Sequence, residues 1–204
     1  MILAPWRSPV ARALHRNRAL PAARYLQLAT VRGNGLPANR TIVFRGFVAE
    51  PFNKGDQFGN SLQFITDRRS EKIPELQQNP AAEACWYFPK TREQFRLSGS
   101  VELVMAAGGT APANPLEALR VQLWQSISDS ARSQFTWPYP AKARAEQEAF
   151  ELDPPDSRRP LEDFAALLLT PDQVDHLELR GEPQSRTRYW LDPHGQWLTE
   201  SVNP

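Results

Sequence analysis

Arg24-Tyr-Leu-Gln-Leu-Ala-Thr-Val31 is followed by Gly33-Asn34-Gly35, and then by Ala38 to Val48, which contains Arg40-Thr-Ile-Val-Phe-Arg45. Two runs rich in β-branched and aromatic residues, parted by Asn-Gly, read as an antiparallel hairpin. Asn34-Gly35 supplies the positive φ angles of a tight turn. The pattern continues downstream. Ser61 to Thr66, Ala82 to Phe88 and Glu93 to Met105 read as three more strands, with Pro89-Lys90-Thr91 between the last two. One helix interrupts them, opening at Asp67-Arg-Arg-Ser70, running to about Gln78 before Asn79-Pro80, and capped by Asp67 or Ser70. Strands joined by turns rather than by crossover helices do not build a parallel sheet. They predict a mainly β fold with flanking helices (α+β): a partly closed antiparallel barrel of the Greek-key type.

Outward from this core the signals are shorter. Ser8 to Arg18 reads as a helix, with Ser8 as cap, Pro9 at its first position and Pro21 as its stop. A looser connection runs through Pro51, Asn53, Gly55, Gly59 and Asn60, and a Gly/Ala/Pro loop spans Ala106 to Pro115. Leu116 to Ser128 places Leu116, Leu119, Leu123 and Ile127 on one helical face. Phe135-Thr-Trp-Pro-Tyr-Pro140 reads as extended, Lys142 to Phe150 as a short polar helix, Asp153 to Arg159 as a loop and Leu161 to Leu169 as helical. Val174 to Leu179, Arg186 to Leu191 and Gln196 to Val202 read as closing strands. The expected organisation is one domain over 1–204: a barrel core at about 24–105, a helical insert at about 112–170 and C-terminal strands at about 174–204.

The chain's 204 residues are 41% hydrophobic and 23% charged, which indicates neither disorder nor a membrane protein. No apolar run approaches a spanning helix, and Met1 to Arg18 lacks the continuous apolar core of a signal peptide. A net charge of +1 excludes the basicity of a dedicated nucleic-acid binder. The only cysteine is Cys85, so no internal disulfide forms and a reducing, cytoplasmic setting is expected. Within its strand Cys85 reads as a small buried residue. Glycine-rich nucleotide loops, zinc-protease motifs and the nucleophile elbow are absent. His15, His176 and His194 match no metal spacing and read as surface or structural residues; no metal is expected.

Two segments carry chemistry. In Arg40-Thr-Ile-Val-Phe-Arg45 both strand faces combine apolar side chains with an arginine. An arginine inside such a strand faces an anion, or else lies solvated at the strand end. In Phe64-Ile-Thr-Asp-Arg-Arg-Ser-Glu-Lys72 a strand gives way to a helix, where free N–H groups, the Ser70 hydroxyl and three cations gather. Basic residues in a first helical turn oppose the helix dipole. A phosphate would reverse that cost; the other reading is an ordinary capped helix.

Together these segments, with Leu28-Ala-Thr-Val31, Asn34-Gly35, Arg92-Glu-Gln94, Arg186-Thr-Arg-Tyr189 and Trp197 to Pro204, resemble the pyridoxamine 5′-phosphate oxidase-like family, the FMN-binding split β-barrels, and within it the oxidase-related FMN-binding subgroup. The resemblance implies FMN at the interface of a homodimer. Arg40 and Lys72 would pair with its phosphate. Thr41, Ile42 and Val43 would run beside the isoalloxazine ring, with Arg45 near its polar edge. Thr66 and Ser70 would donate to the ribityl or phosphate oxygens, and Ile65 would also belong to the cofactor site. Gln94 would reach in from the partner subunit, and Arg186 would approach the cofactor.

The departures are specific. The family's Arg-x-His-Asp-Arg stretch is Glu182-Pro-Gln-Ser-Arg186 here, so its substrate-reading arginine and histidine are Glu182 and Gln184. The family's second cation beside Lys72 is Glu71, with Arg68 or Arg69 as candidate replacement, and a usual lysine is Arg45. Trp124, Arg132 and Phe135-Thr-Trp-Pro138 belong to the subgroup's own pattern; core or dimer packing is the reading for Trp124 and Trp137. The implied function is an FMN-dependent oxidoreductase on a small substrate; the alternative is a non-catalytic FMN or haem-related carrier or sensor. No nucleic acid or membrane partner is expected.

Overall fold

The computed structural model describes residues 3–49, 52, 58–106 and 116–204. The expected connection at Pro51, Asn53 and Gly55, and the loop after Ala106 up to Pro115, lie outside them. Nine strands form one antiparallel sheet: β1 (Tyr25–Val31), β2 (Pro37–Val43), β3 (Gly46–Phe47), β4 (Leu62–Asp67), β5 (Ala81–Phe88), β6 (Glu93–Val104), β7 (Phe164–Glu178), β8 (Ser185–Leu191) and β9 (Trp197–Val202). The strand order is β2-β1-β5-β6-β7-β4-β3, with β8 and β9 continuing from β7. Among the described residues four α-helices flank it: α1 (Arg7–Asn17), α2 (Lys72–Gln78), α3 (Glu117–Gln125) and α4 (Asp129–Ser133).

The sheet curls into a half-barrel around β7. Phe164 to Leu169 pair with β4, whereas Gln173 to Glu178 pair with β8, so one edge of β7 changes partner midway. At the changeover the β6–β7 register shifts between Ser98 and Gly99, opposite Pro171. The backbones approach so closely there that a Cβ on Gly99 would lie 2.1 Å from the Thr170 carbonyl oxygen.

The hairpin forms, but of the two turn residues only Gly35 takes a positive φ (+81°), its N–H donating to the Arg32 carbonyl at 2.8 Å; β1 pairs with β2 from Tyr25↔Val43 to Val31↔Pro37. The strand expected to run on to Val48 instead ends at Val43. The Phe44 N–H donates to the Arg24 carbonyl and the Arg45 N–H to that of Gln63. Gly46, at φ +129°, then lets the chain turn the corner to pair with β4.

Leu161 to Leu169 is not a helix; Phe164 to Leu169 open β7. Leu167 and Leu169 point into the barrel core with Phe64 and Trp86. Phe164, Ala166 and Leu168 point the other way, into a second core with Leu119, Leu123 and Trp124. A strand buried on both faces shows no alternation, and its short apolar run cannot be told from a buried helix by period.

Smaller differences have local causes. Ser8 lies inside α1, whose N-cap is Trp6. Pro9 is still in the first turn, where its missing N–H costs nothing. Asp67 and Ser70 do not cap α2; they close the preceding turn, with the Asp67 carbonyl accepting from the Ser70 N–H (3.1 Å) and Oγ (2.7 Å). The helix expected over Leu116 to Ser128 is two: α3 ends at Gln125, and Ser128 caps α4 through the Ala131 N–H at 3.3 Å. Phe135 sits in a 3-10 turn, Gln134–Thr136, and Lys142 to Phe150 is irregular apart from the 3-10 turn Gln147–Phe150. Cys85 is half-buried on the outer face of β5.

Candidate functional site

β2, the corner at Arg45, the end of β4 and the start of α2 form one wall of an open cleft of about 690 Å³. Arg40, Thr41, Ile42, Val43, Arg45, Ile65, Thr66 and Lys72, all candidates from sequence, line that wall. The opposite wall is the irregular segment after α4, with Phe135, Trp137, Tyr139 and Phe150 and the cations Lys142 and Arg144. The volume lies in the range of small-molecule and cofactor sites.

At one end the Lys72 Nζ donates to the Thr66 Oγ1 (2.8 Å) and the Ser70 Oγ (2.9 Å). Ser70 does not itself line the cleft. Among the described residues Lys72 makes no ion pair. Burial, with the charge of Arg40 next in weight, holds its pKa at about 8, well below the usual 10.5. Between those two pH values the unfolded chain keeps a proton that the folded one has lost, so the folded state gains stability as pH rises. Denaturant midpoints of the apo-protein are therefore expected to rise from pH 7.5 to pH 9.5 relative to a Lys72→Met variant. Equal pH slopes in the two proteins would contradict this.

Arg40 is fastened from behind. Its Nη2 meets the Glu75 Oε2 at 2.8 Å and its Nη1 donates to the Thr30 Oγ1. The Thr30 hydroxyl in turn donates to the Glu75 Oε2 at 2.5 Å. Burial pushes the Glu75 carboxyl up, but hydrogen bonds from Thr30 and Arg40 more than offset it, and its pKa lies below the ordinary 4.5. Sequence reading missed Glu75 and Thr30. The available signal was spacing, since residues 72 and 75 share a face of α2. At the corner the Arg45 Nε is buried with no hydrogen-bond partner among the described residues, and burial, followed by the Arg24 charge, lowers its pKa.

Gln94 and Arg186 are not brought to this cleft. Gln94 is half-buried on β6, opposite Leu177 on β7. Arg186 pairs with Asp175 at 2.7 Å, which also holds Arg96 at 2.7 Å. Arg186 foremost keeps the Asp175 carboxyl below its usual pKa. Arg96 and Asp175 line a separate polar concavity of about 640 Å³.

Arg68 and Arg69 do not line the cleft either. Arg68 pairs with Glu162 at 2.6 Å, while Arg69 pairs with Asp67 at 2.6 Å and donates to the Trp137 carbonyl at 3.1 Å. Arg69 thus ties down the aromatic wall. Trp124 is fully buried, its Nε1 donating to the Asp156 carbonyl at 2.9 Å. Arg132, also buried, binds the carbonyls of Trp124 and Ile127 at the end of α3. Trp137 is exposed at the cleft rather than packed in a core.

A half-barrel with this cleft matches known proteins. Residues 3–105 match the pyridoxamine 5′-phosphate oxidase, FMN-binding domain family. Over 205 residues the chain is 34% identical to pyridoxine/pyridoxamine 5′-phosphate oxidase 2 of Arabidopsis thaliana, covering 99% of this chain and 98% of that one. A crystal structure of a pyridoxamine 5′-phosphate oxidase-related, FMN-binding protein from Nostoc punctiforme superposes over 100% of both chains, with TM-score 0.92 and 53% identity. PhzG from Burkholderia lata shares the fold at TM-score 0.74 and 19% identity, covering 97% of this chain and 91% of that one. The chain belongs to the pyridoxamine 5′-phosphate oxidase family of FMN-binding split barrels.

Proposed function

We propose that this protein binds FMN in the cleft, works as a cytoplasmic homodimer, and is an oxidoreductase acting on a small substrate, with residues 1–204 forming one functional unit. The observation that carries the reading is Lys72, a largely buried cation that has no carboxylate partner among the described residues, at one end of an open cleft. A dianionic phosphate there would receive charge-assisted hydrogen bonds from Lys72, supported by Thr66 and Ser70. It would also raise the lysine's pKa, so binding is expected to weaken as pH climbs past about 8. The unpartnered Arg45 Nε supplies a donor for a polar ring edge. Thr41 to Val43 offer a strand edge for a flat ring to lie against, and the aromatic wall shields the other side from water.

FMN supplies two-electron redox chemistry through its isoalloxazine ring. The chain's part is to bind and orient. Gln94 and Arg186 stand away from the cleft of their own chain, which supports their delivery by a second copy. Glu182 and Gln184 provide no cation for a substrate phosphate at that position.

The test is titration of apo-protein with FMN and with riboflavin, followed by flavin fluorescence. Lys72→Ala is expected to weaken FMN about 10- to 150-fold, the worth of a charge-assisted contact of ~1.5–3 kcal/mol, and to leave riboflavin nearly unchanged. Light scattering of the holo-protein is expected to give twice the chain mass. Equal loss for both ligands, or no flavin binding by the unaltered protein, would sink the reading.

A further inference from the structure

On the barrel side of the sheet, away from the cleft, Glu93 of β6 and Glu178 of β7 stand directly opposite each other in the antiparallel register. Like charges placed directly across a ladder repel. His176 lies two residues before Glu178 and so shares its face. The His176 Nε2 is 3.0 Å from the Glu93 Oε2, and the imidazole is stacked flat on Phe95, with ring centroids 4.0 Å apart and planes within 10°. Ligand atoms of the three residues all lie within 4.8 Å of one another. Glu93 and His176 are buried, with side chains 5% and 3% exposed, while Glu178 is half-buried and open to solvent.

Among the described residues, neither Glu93 nor Glu178 pairs with a lysine or arginine. Arg12 is near enough for its charge to reach the His176 ring, but forms no ion pair with either carboxylate. Burial lowers the His176 pKa against the pull of Glu178 and Glu93. An imidazole nitrogen beside two carboxylates is a donor set that a metal ion can use. A cation bound between a buried carboxylate and a second one opposite it would relieve their repulsion.

We propose that Glu93, His176 and Glu178 form a binding site for a divalent transition-metal cation of the zinc type at the rim of the barrel. One imidazole nitrogen with two carboxylates suits zinc and its neighbours, whereas calcium and magnesium take oxygen ligands only. Donor atoms sit about 2.0–2.2 Å from zinc, so closure asks only for movement of Glu178, the member with room to turn. Water fills the remaining positions. The bound ion clamps β6 to β7 beside Gln94, whose side chain leaves the opposite face of the same strand.

The experiment uses the protein as purified, dialysed against a chelator and then titrated with Zn2+ by calorimetry, with Co2+ as a spectroscopic stand-in. Binding of one ion per chain is expected, with visible Co2+ absorption of a low-symmetry nitrogen and oxygen site. The thermal midpoint should rise by about 4 °C or more at saturating metal. Glu178→Gln, a change at an accessible position, should weaken Zn2+ by about tenfold or more. His176→Phe keeps the stack on Phe95 and should abolish binding. If His176→Phe does not fold, Glu178→Gln and the Co2+ spectrum carry the result. Absence of binding at about 100 μM free Zn2+, or equal affinity in the unaltered protein and Glu178→Gln, would overturn the proposal. FMN plays no part in this readout, so the outcome is independent of the flavin reading.

Discussion

Arg40→Ala is expected to destabilise the folded protein by about 3 kcal/mol, the lower end of the cost of stripping one partner from a buried ion pair. The lower end applies because the Arg40 side chain is 22% exposed, against 8% for Glu75. The loss falls on Glu75, which would keep the Thr30 hydrogen bond but face the interior as an uncompensated charge. A second change, Glu75→Gln, should restore most of the stability, since a neutral amide needs no counter-charge. The deficit should also shrink in acid. Glu75 contributes stability above its unfolded pKa and loses it as pH falls through its lower folded value, leaving nothing for Arg40 to balance. Urea midpoints of the two single variants and the double variant at pH 7 and pH 4 measure all of this. A loss under about 1 kcal/mol at pH 7, or no recovery with Glu75→Gln, would show that the pair is not structural. It follows that Lys72, and not Arg40, is the clean probe of the phosphate end.

Gly99→Ala is expected to cost more than the 1–3 kcal/mol, roughly, of an overpacked side chain. The added carbon would meet backbone atoms and not a flexible side chain: the Thr170 carbonyl oxygen at 2.1 Å and the Pro171 Cα at 2.7 Å. Neither can step aside without parting β6 from β7. Ser100→Ala, at an exposed position nearby, is the control and should change stability by under about 1 kcal/mol. Circular dichroism with thermal melting decides the matter, and a Gly99→Ala protein as stable as the control would show that the close approach relaxes easily.

Much of the barrel was legible because its signals are local. Asn34-Gly35 fixes a hairpin on its own, and Ala82 to Phe88 alternates as a one-sided strand does. Phe164 to Leu169 was misread because the strand meets apolar neighbours on both sides and shows no alternation. The wall of the cleft on β2, β4 and α2 was legible through two short segments rich in cations. Its opposite wall was not, since 134–150 has no repeating backbone and is held by Arg69 from a distant turn. Glu75 escaped notice because a buried carboxylate is read only with its partner, here 35 residues away in sequence. The Glu93–His176 pair spans 83 residues, which no motif spacing encodes.

The double-sided burial of β7 has a consequence for alignment errors during folding. In a strand with one wet face, slipping by a single residue turns greasy side chains toward water, and that penalty enforces the pairing. Phe164 to Leu169 has no such safeguard, because either set of side chains would find an oily environment. The pairing must be policed elsewhere. The shift between Ser98 and Gly99 does this: only a residue without a side chain can sit against Thr170 and Pro171. Moved one step along, Ser98 or Ser100 would collide there. Gly99 thus acts as an index mark that tells the two long strands where to stop sliding.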